Sequence, residues 1–139
     1  MKQVYPNIEN CDPRQCVSGR MMRCSRIVSS IFRKYLKPFD ITNSQLSIMF
    51  MITKSQGIKQ QDIANWLYMD KSTVNRNLKR LFDKELIVKF NGTIETTTIG
   101  KNQLEQIIPE WDKAMKEINT ILKKEGMESV NKLTQILTT

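Results

Sequence analysis

The 139-residue sequence contains no histidine. That absence excludes zinc sites of the mixed His–Cys type and any catalytic triad built on an imidazole base. Cysteine is scarce as well. Cys11, Cys16 and Cys24 are odd in number and none stands in a CxxC spacing, so no disulfide scaffold is expected. The longest apolar stretch, Leu46 to Ile52, is far below the roughly 20 residues of a membrane span. No apolar h-region follows Lys2, so no signal peptide is expected and the expected location is cytoplasmic. Internal repeats, low-complexity tracts, a phosphate-cradling loop, a nucleophile–base pair and a metal-ligand cluster are all missing. The expectation is therefore a non-enzyme without metal or cofactor.

What is present is positive charge. Apolar residues make up 40% and charged residues 26% of the chain, ordinary proportions for one folded unit spanning 1–139. The net charge of +8 suits a polyanionic partner such as nucleic acid, although a charge excess also serves solubility. Its distribution is uneven. Residues 1–38 carry net +6, residues 39–58 net zero, residues 59–90 net +3 and residues 91–139 net −1.

Pro6 and the polar run Asn7 to Asn10 read as a loose lead. Asp12 and Pro13 then supply a helix cap and a first helical residue. Val17, Met21, Cys24, Val28, Ile31 and Tyr35 follow at alternating steps of four and three, the seam of a long helix with arginines on its other faces. Lys37-Pro38 ends it. Thr42 and Gln45 form a capping box for a helix through Thr53. A short helix covers Gln60 to Leu67, with Ile63, Ala64 and Leu67 inward. Tyr68-Met69 is a tight connection, and Asp70 caps a helix from Lys71 to Lys84. Leu86 to Phe90 alternates as a strand, Asn91-Gly92 is a two-residue hairpin signal, and Thr93 to Thr96 returns. Thr97 or Thr98 caps a long helix with an apolar stripe at Leu104, Ile108, Trp111, Met115, Ile118 and Leu122. Pro109 is expected to kink it, Gly126 to end it, and a last short helix to follow.

This order predicts a mainly α fold with a small β-hairpin wing, a winged helix-turn-helix over 42–97 flanked by helical arms. The segment Asp70 to Leu81 divides into an inner face of Val74, Leu78 and Leu81 and an outer face of polar groups. A helix of that kind fits a major groove. Ser72, Thr73, Asn75 and Arg76 are hydrogen-bonding groups suited to base edges or phosphates; Arg76 matches guanine and Asn75 adenine. Lys71, Lys79 and Arg80 are better read as phosphate contacts.

These residues resemble the MarR (multiple-antibiotic-resistance) family of winged-helix regulators. The resemblance runs from Thr42-Asn43-Ser44-Gln45 through Gln60-Gln61-Asp62-Ile63-Ala64 and the specific stretch Met69-Asp70-Lys71-Ser72-Thr73-Val74 to Leu86-Ile87. It continues in Thr97-Thr98-Ile99-Gly100 and Pro109-Glu110-Trp111. It implies a homodimer formed by terminal helices (12–37 and 98–139), a near-palindromic operator of double-stranded DNA, and repression relieved by a small molecule or by oxidation. The tip Asn91-Gly92 departs from the family's longer wing with its acidic–Arg motif. Lys89, Asn91 and Thr93 remain to touch the DNA backbone. Tyr68 and Glu85 stand where a glycine is usual.

Cys11 and Cys16 lie where some relatives sense oxidants, and Cys24 sits on the apolar seam as a packing residue. Met21, Met22, Phe32, Trp111 and Met115 are candidates either for a ligand pocket or for plain core packing. The expected function is a dimeric DNA-binding regulator of repressor type. The alternative is a winged-helix interaction or architectural module that binds DNA without sequence preference.

Overall fold

A computed structural model describes residues 1–138. Thr139, the last residue of the expected C-terminal arm, lies outside the described residues. The elements are α1 (Pro6–Asn10), α2 (Val17–Leu36), α3 (Asn43–Ser55), α4 (Gln60–Leu67), α5 (Lys71–Asp83), β1 (Ile87–Phe90), β2 (Thr93–Thr96) and α6 (Thr98–Leu137). Single 3₁₀ turns at Pro13–Gln15 and Lys37–Phe39 flank α2. The fold is a winged helix-turn-helix with helical arms.

Local chemistry sets the helix starts. At α3 the Thr42 hydroxyl accepts the Gln45 N–H at 3.1 Å while Gln45 Oε1 accepts the Thr42 N–H at 3.2 Å, a complete capping box. Thr97 caps α6 by accepting the Gly100 N–H at 3.0 Å. The entry to the first long helix differs from expectation. Asp12 and Pro13 make a single 3₁₀ turn, and the helix itself begins at Val17, capped by the Cys16 sulfur, which accepts the Gly19 N–H at 3.5 Å. Asp12 engages Arg14 instead, which explains why it caps only its own turn. The loose lead also contains one helical turn, started by Pro6.

The helices converge on one core. Leu36, Leu46, Ile48, Met49, Ile52, Ile63, Val74, Leu81, Ile94 and Ile107 are all sealed from solvent. The wing is a two-stranded antiparallel hairpin pairing Ile87 with Thr96 and Phe90 with Thr93. Asn91 and Gly92 both adopt positive φ, 50° and 80°, the pattern of a type I′ turn. Ile58 bridges Ile94 through two backbone hydrogen bonds of 3.1 and 2.8 Å, so the approach to α4 is tied to the wing. Tyr68 and Glu85 take the left-handed conformation at φ 54° and 60°. Behind Glu85, the Leu86 N–H returns to the Leu81 carbonyl, closing the end of α5.

Two further expectations are corrected. Cys24 is exposed rather than packed, because the N-terminal half of α2 covers nothing in its own chain. The C-terminal helix leaves helical torsions at Lys123 (φ 58°, ψ −174°), not at Gly126 or Pro109. Gly126 serves space instead of a helix stop: a Cβ there would stand 2.7 Å from Leu122 Cβ. No helix among the described residues is long and apolar enough to cross a membrane.

Gly100 is where α6 meets the α5–β1 connection. A Cβ at this position would lie 2.2 Å from the Leu86 carbonyl oxygen, a backbone atom that cannot swing aside. Gly100→Ala is expected to destabilise the fold by about 1–3 kcal/mol, as overpacking does. Gly19→Ala, whose Cβ would meet nothing nearer than 3.8 Å, should be neutral or stabilising by at most about 1 kcal/mol. Urea unfolding of both variants checks this; equal midpoints would remove the close-approach role given to Gly100.

Candidate nucleic-acid interface

The candidate site is built on α5. Val74, Leu78 and Leu81 are buried at 0%, 2% and 0% exposure, so the opposite face has no choice but solvent. Lys71, Ser72, Asn75, Arg76, Lys79 and Arg80 are exposed, and Thr73 is half-buried. Asp70 organises the leading turn. Its Oδ1 accepts the Thr73 N–H at 2.7 Å and the Ser72 hydroxyl at 3.1 Å. Hydrogen bonding from Thr73, side chain and backbone, then from Ser72, holds the Asp70 carboxyl below the usual carboxylate range, with Arg76 adding a weaker attraction. The cap is thus in place at neutral pH and is lost only as pH falls through that lowered value.

The outer face is pre-arranged. Arg76 Nη2 donates to Thr73 Oγ1 at 3.2 Å, which draws the guanidinium toward the start of the helix. Gln60 Nε2 donates to Asn75 Oδ1, so the Asn75 carbonyl oxygen is engaged by α4 while its amide N–H groups stay outward. Gln60 is a site residue that sequence reading missed. The available signal was its place at the first position of α4, where no side chain caps the helix and the leading N–H groups of Gln60 and Gln61 are open to an anion.

Lys89 and Asn91 are exposed on the wing and at its tip. Val88 and Phe90, at 46% and 59% exposure, add an apolar outer face to β1 that the sequence reading did not single out. The remaining candidates lie elsewhere. Phe32 is in the core, and Trp111 and Met115 pack against that core, Trp111 edge-on to Phe50 at 5.5 Å between ring centres. Met21 is exposed on the N-terminal half of α2. Cys11 and Cys16 are exposed and unpaired as thiols, Cys16 acting as the α2 cap.

Comparison with known proteins agrees with this geometry. Residues 41–92, from the residue before the α3 cap to the wing tip, match the model of the MarR family. An uncharacterised HTH-type transcriptional regulator of Bacillus cereus is 27% identical over 95 residues, which are 66% of this chain and 65% of that protein. The match therefore spans a little under two-thirds of the relative's length. Among solved structures, ligand-free NadR is 23% identical, covers 88% of this chain and 92% of its own, and superposes with a TM-score of 0.77. NadR has also been solved with 4-hydroxyphenylacetate. The reduced form of MarR from E. coli is 20% identical over 96% of this chain and 99% of its own, with a TM-score of 0.71, and an oxidised form has been solved as well. These structural likenesses carry the fold, and residues 41–92 of this chain are similar to the MarR family through the match to its model.

Proposed function

We propose that the protein is a homodimeric transcriptional regulator of repressor type that reads a near-palindromic operator in double-stranded DNA. The observation that carries this is the outer face of α5, where Ser72, Thr73, Asn75 and Arg76 stand at the capped end of a helix whose other side is sealed in the core. A helix so anchored presents forked and short hydrogen-bonding groups to base edges. Lys71, Lys79, Arg80 and Lys89, with the open N-terminus of α4, neutralise phosphates on either side. Asn91 places the short wing against the backbone, because no arginine stands at its tip to enter a minor groove. Two such helices in a dimer would enter successive major grooves about 34 Å apart.

The arms support the dimer, with 12–37 and 98–139 as its two contributing segments. Val17, Met22 and Ile27 on α2 and Ile121, Val130, Leu133 and Leu137 on α6 are exposed, and beyond Leu122 no residue of α6 is buried by its own chain. Long helices with uncovered apolar residues at both ends of one chain suit a self-complementary interface. Release of DNA would follow from an effector that favours a different spacing of the recognition helices. The likeness to NadR, solved with a small aromatic acid, supports a small-molecule effector in the region of Phe32, Trp111 and Met115. The exposed thiols of Cys11 and Cys16 support oxidation as the other trigger.

Three outcomes test this reading. Fluorescence anisotropy of the chain on DNA from its own upstream region, against random DNA, should show preferential binding that weakens steeply with salt. Arg76→Ala should cost about 1–3 kcal/mol on the preferred sequence and flatten the preference; equal loss on every sequence would reassign Arg76 to a phosphate. Flat, weak binding by the wild type would instead favour an interaction or architectural module, for which the apolar Val88–Phe90 face of the wing would be the natural contact. Leu133→Asp, by placing a charge in the arm, should convert a dimeric mass in light scattering to a monomeric one; an unchanged mass would remove the C-terminal arm from the interface.

A further inference from the structure

Four cations from two helices line one cavity. Arg33 and Lys37 come from the end of α2 and its following turn, Arg80 and Lys84 from the end of α5 and its cap, and the first turn of α3 lies between them. The cavity measures about 660 Å³. Its only carboxylate is Asp40, whose Oδ2 lies 3.2 Å from Lys84 Nζ. The side chains of Arg33, Lys37 and Arg80 have no ion pair or hydrogen bond among the described residues. Three positive charges thus share a cavity without compensation, an arrangement that costs free energy until an anion enters.

The lining supplies donors aimed at the same charge. In the capping box, Thr42 occupies the Gln45 N–H, and the Leu46 N–H returns to the Thr42 carbonyl. The N–H groups of Asn43 and Ser44 have no such partner and stand at the positive end of a 13-residue helix. Gln45 adds a second, separate indication. It is 3% exposed and is the one buried polar residue of the chain's described core. The capping box fixes its Oε1 on the Thr42 N–H, which leaves its Nε2 with two protons and no protein acceptor. Glu117 Oε2 is the only sealed polar side-chain atom without a partner among the described residues. The Gln45 amide nitrogen is therefore not sealed off, and Gln45 is itself one of the residues that line the cavity.

We infer that this cavity binds a phosphate-class oxyanion, held by Arg33, Lys37 and Arg80, by the Asn43 and Ser44 backbone N–H groups and by the Gln45 side-chain Nε2. Its volume exceeds a single phosphate group and suits a polyphosphate or a phosphate bearing an organic substituent. The site is separate from the base-reading end of α5. Ser72 and Arg80 are eight residues apart, about 12 Å along the helix, and Ser72 and Lys84 about 18 Å. The anion has two sources, a free phosphorylated small molecule or a backbone phosphate of bound DNA; only the second rests on the DNA-binding reading above.

The test is calorimetric titration of the full chain with inorganic pyrophosphate at low ionic strength. Arg33→Gln/Lys37→Gln is compared with Lys54→Gln/Lys116→Gln, an equal charge change at exposed lysines outside the cavity. Saturable binding by the wild type, weakened at least about tenfold in the first double variant and unchanged in the second, establishes the site for a free anion. If pyrophosphate does not bind, the DNA source is read from the salt dependence of duplex binding. There the cavity variant should lower the slope of log K against log salt by about 0.9 for each phosphate it no longer neutralises and leave sequence preference intact. Pyrophosphate binding that falls equally in both double variants is adsorption to a basic surface and overturns the inference. So does an absence of pyrophosphate binding together with an unaltered DNA slope. In that last case the response to Arg76→Ala still decides the DNA-binding reading by itself, so the two can fail separately. Thermal melting of each variant guards against loss of fold, which is not expected because Arg33 and Lys37 are exposed.

Discussion

The burial of one face of α5 is the constraint on which the rest depends. Val74, Leu78 and Leu81 have essentially no solvent exposure, on a helix that packs against α4, α3 and β1. Burying an aliphatic side chain of this size contributes about 1.5–3 kcal/mol. Three of them therefore supply a gross stabilisation on the scale of the whole net stability of a small domain, about 5–15 kcal/mol. That anchoring fixes the rotation of the helix about its axis and so decides which residues face outward. Ser72, Asn75 and Arg76 need make no contribution to folding and are available for recognition. Asp70 then fixes the first turn, where fraying would otherwise blur the position of Ser72 and Thr73.

The parts legible in the sequence were those with one dominant local signal. The Thr42–Gln45 box, the Asp70 cap and Asn91-Gly92 each satisfy backbone groups in a way few other arrangements can, and each stands where expected. Tyr68 and Glu85 were readable as departures, since a turn that usually takes glycine still needs a left-handed residue there. Where two signals competed, the reading slipped. Asp12-Pro13 and Cys16 can both open a helix. The stronger cap on paper turns back to Arg14, and the weaker sulfur acceptor begins α2. Gly126 carries the mark of a helix stop, but its missing Cβ is needed for close approach to Leu122, and the left-handed residue is a lysine. Nothing in residue identity separates those two uses of glycine.

The outer face of α5 was readable in membership but not in arrangement. Periodicity alone places Asn75 and Arg76 outward. It does not show that Gln60 holds the Asn75 carbonyl, which depends on how α4 crosses α5, or that Thr73 holds Arg76, which depends on the rotamers the two side chains take within α5. Cys24 shows the same boundary from the other side. A heptad seam says that an apolar stripe will be covered, not by which chain, and here the N-terminal half of α2 finds no cover within its own. The same holds for the arm beyond Lys123. Only where α2 and α6 meet within one chain does the structure decide, as at Lys34 and Glu117, which pair at 2.6 Å. Hydrogen bonding to Glu117 raises the Lys34 pKa, so this link is complete at neutral pH and weakens only in strongly alkaline solution.

The basic cavity lies at a mechanically consequential place. Its walls are the end of α2, the start of α3 and the end of α5, so it joins an arm to the far end of the recognition helix. Lys84 already ties α5 to the α2–α3 turn through the Asp40 carboxylate and its backbone carbonyl. An anion bridging Arg33 or Lys37 to Arg80 would add a second tie between the same elements. Its effect on DNA binding would be set by the difference in its affinity for two orientations of α5, and an anion with equal affinity for both would shift nothing. Because one continuous helix carries both residues, any rotation of α5 imposed at Arg80 would be carried along it to Ser72. The direction in which such an anion acts thus depends on whether α2 and α5 approach or separate when the recognition helices seat in their grooves.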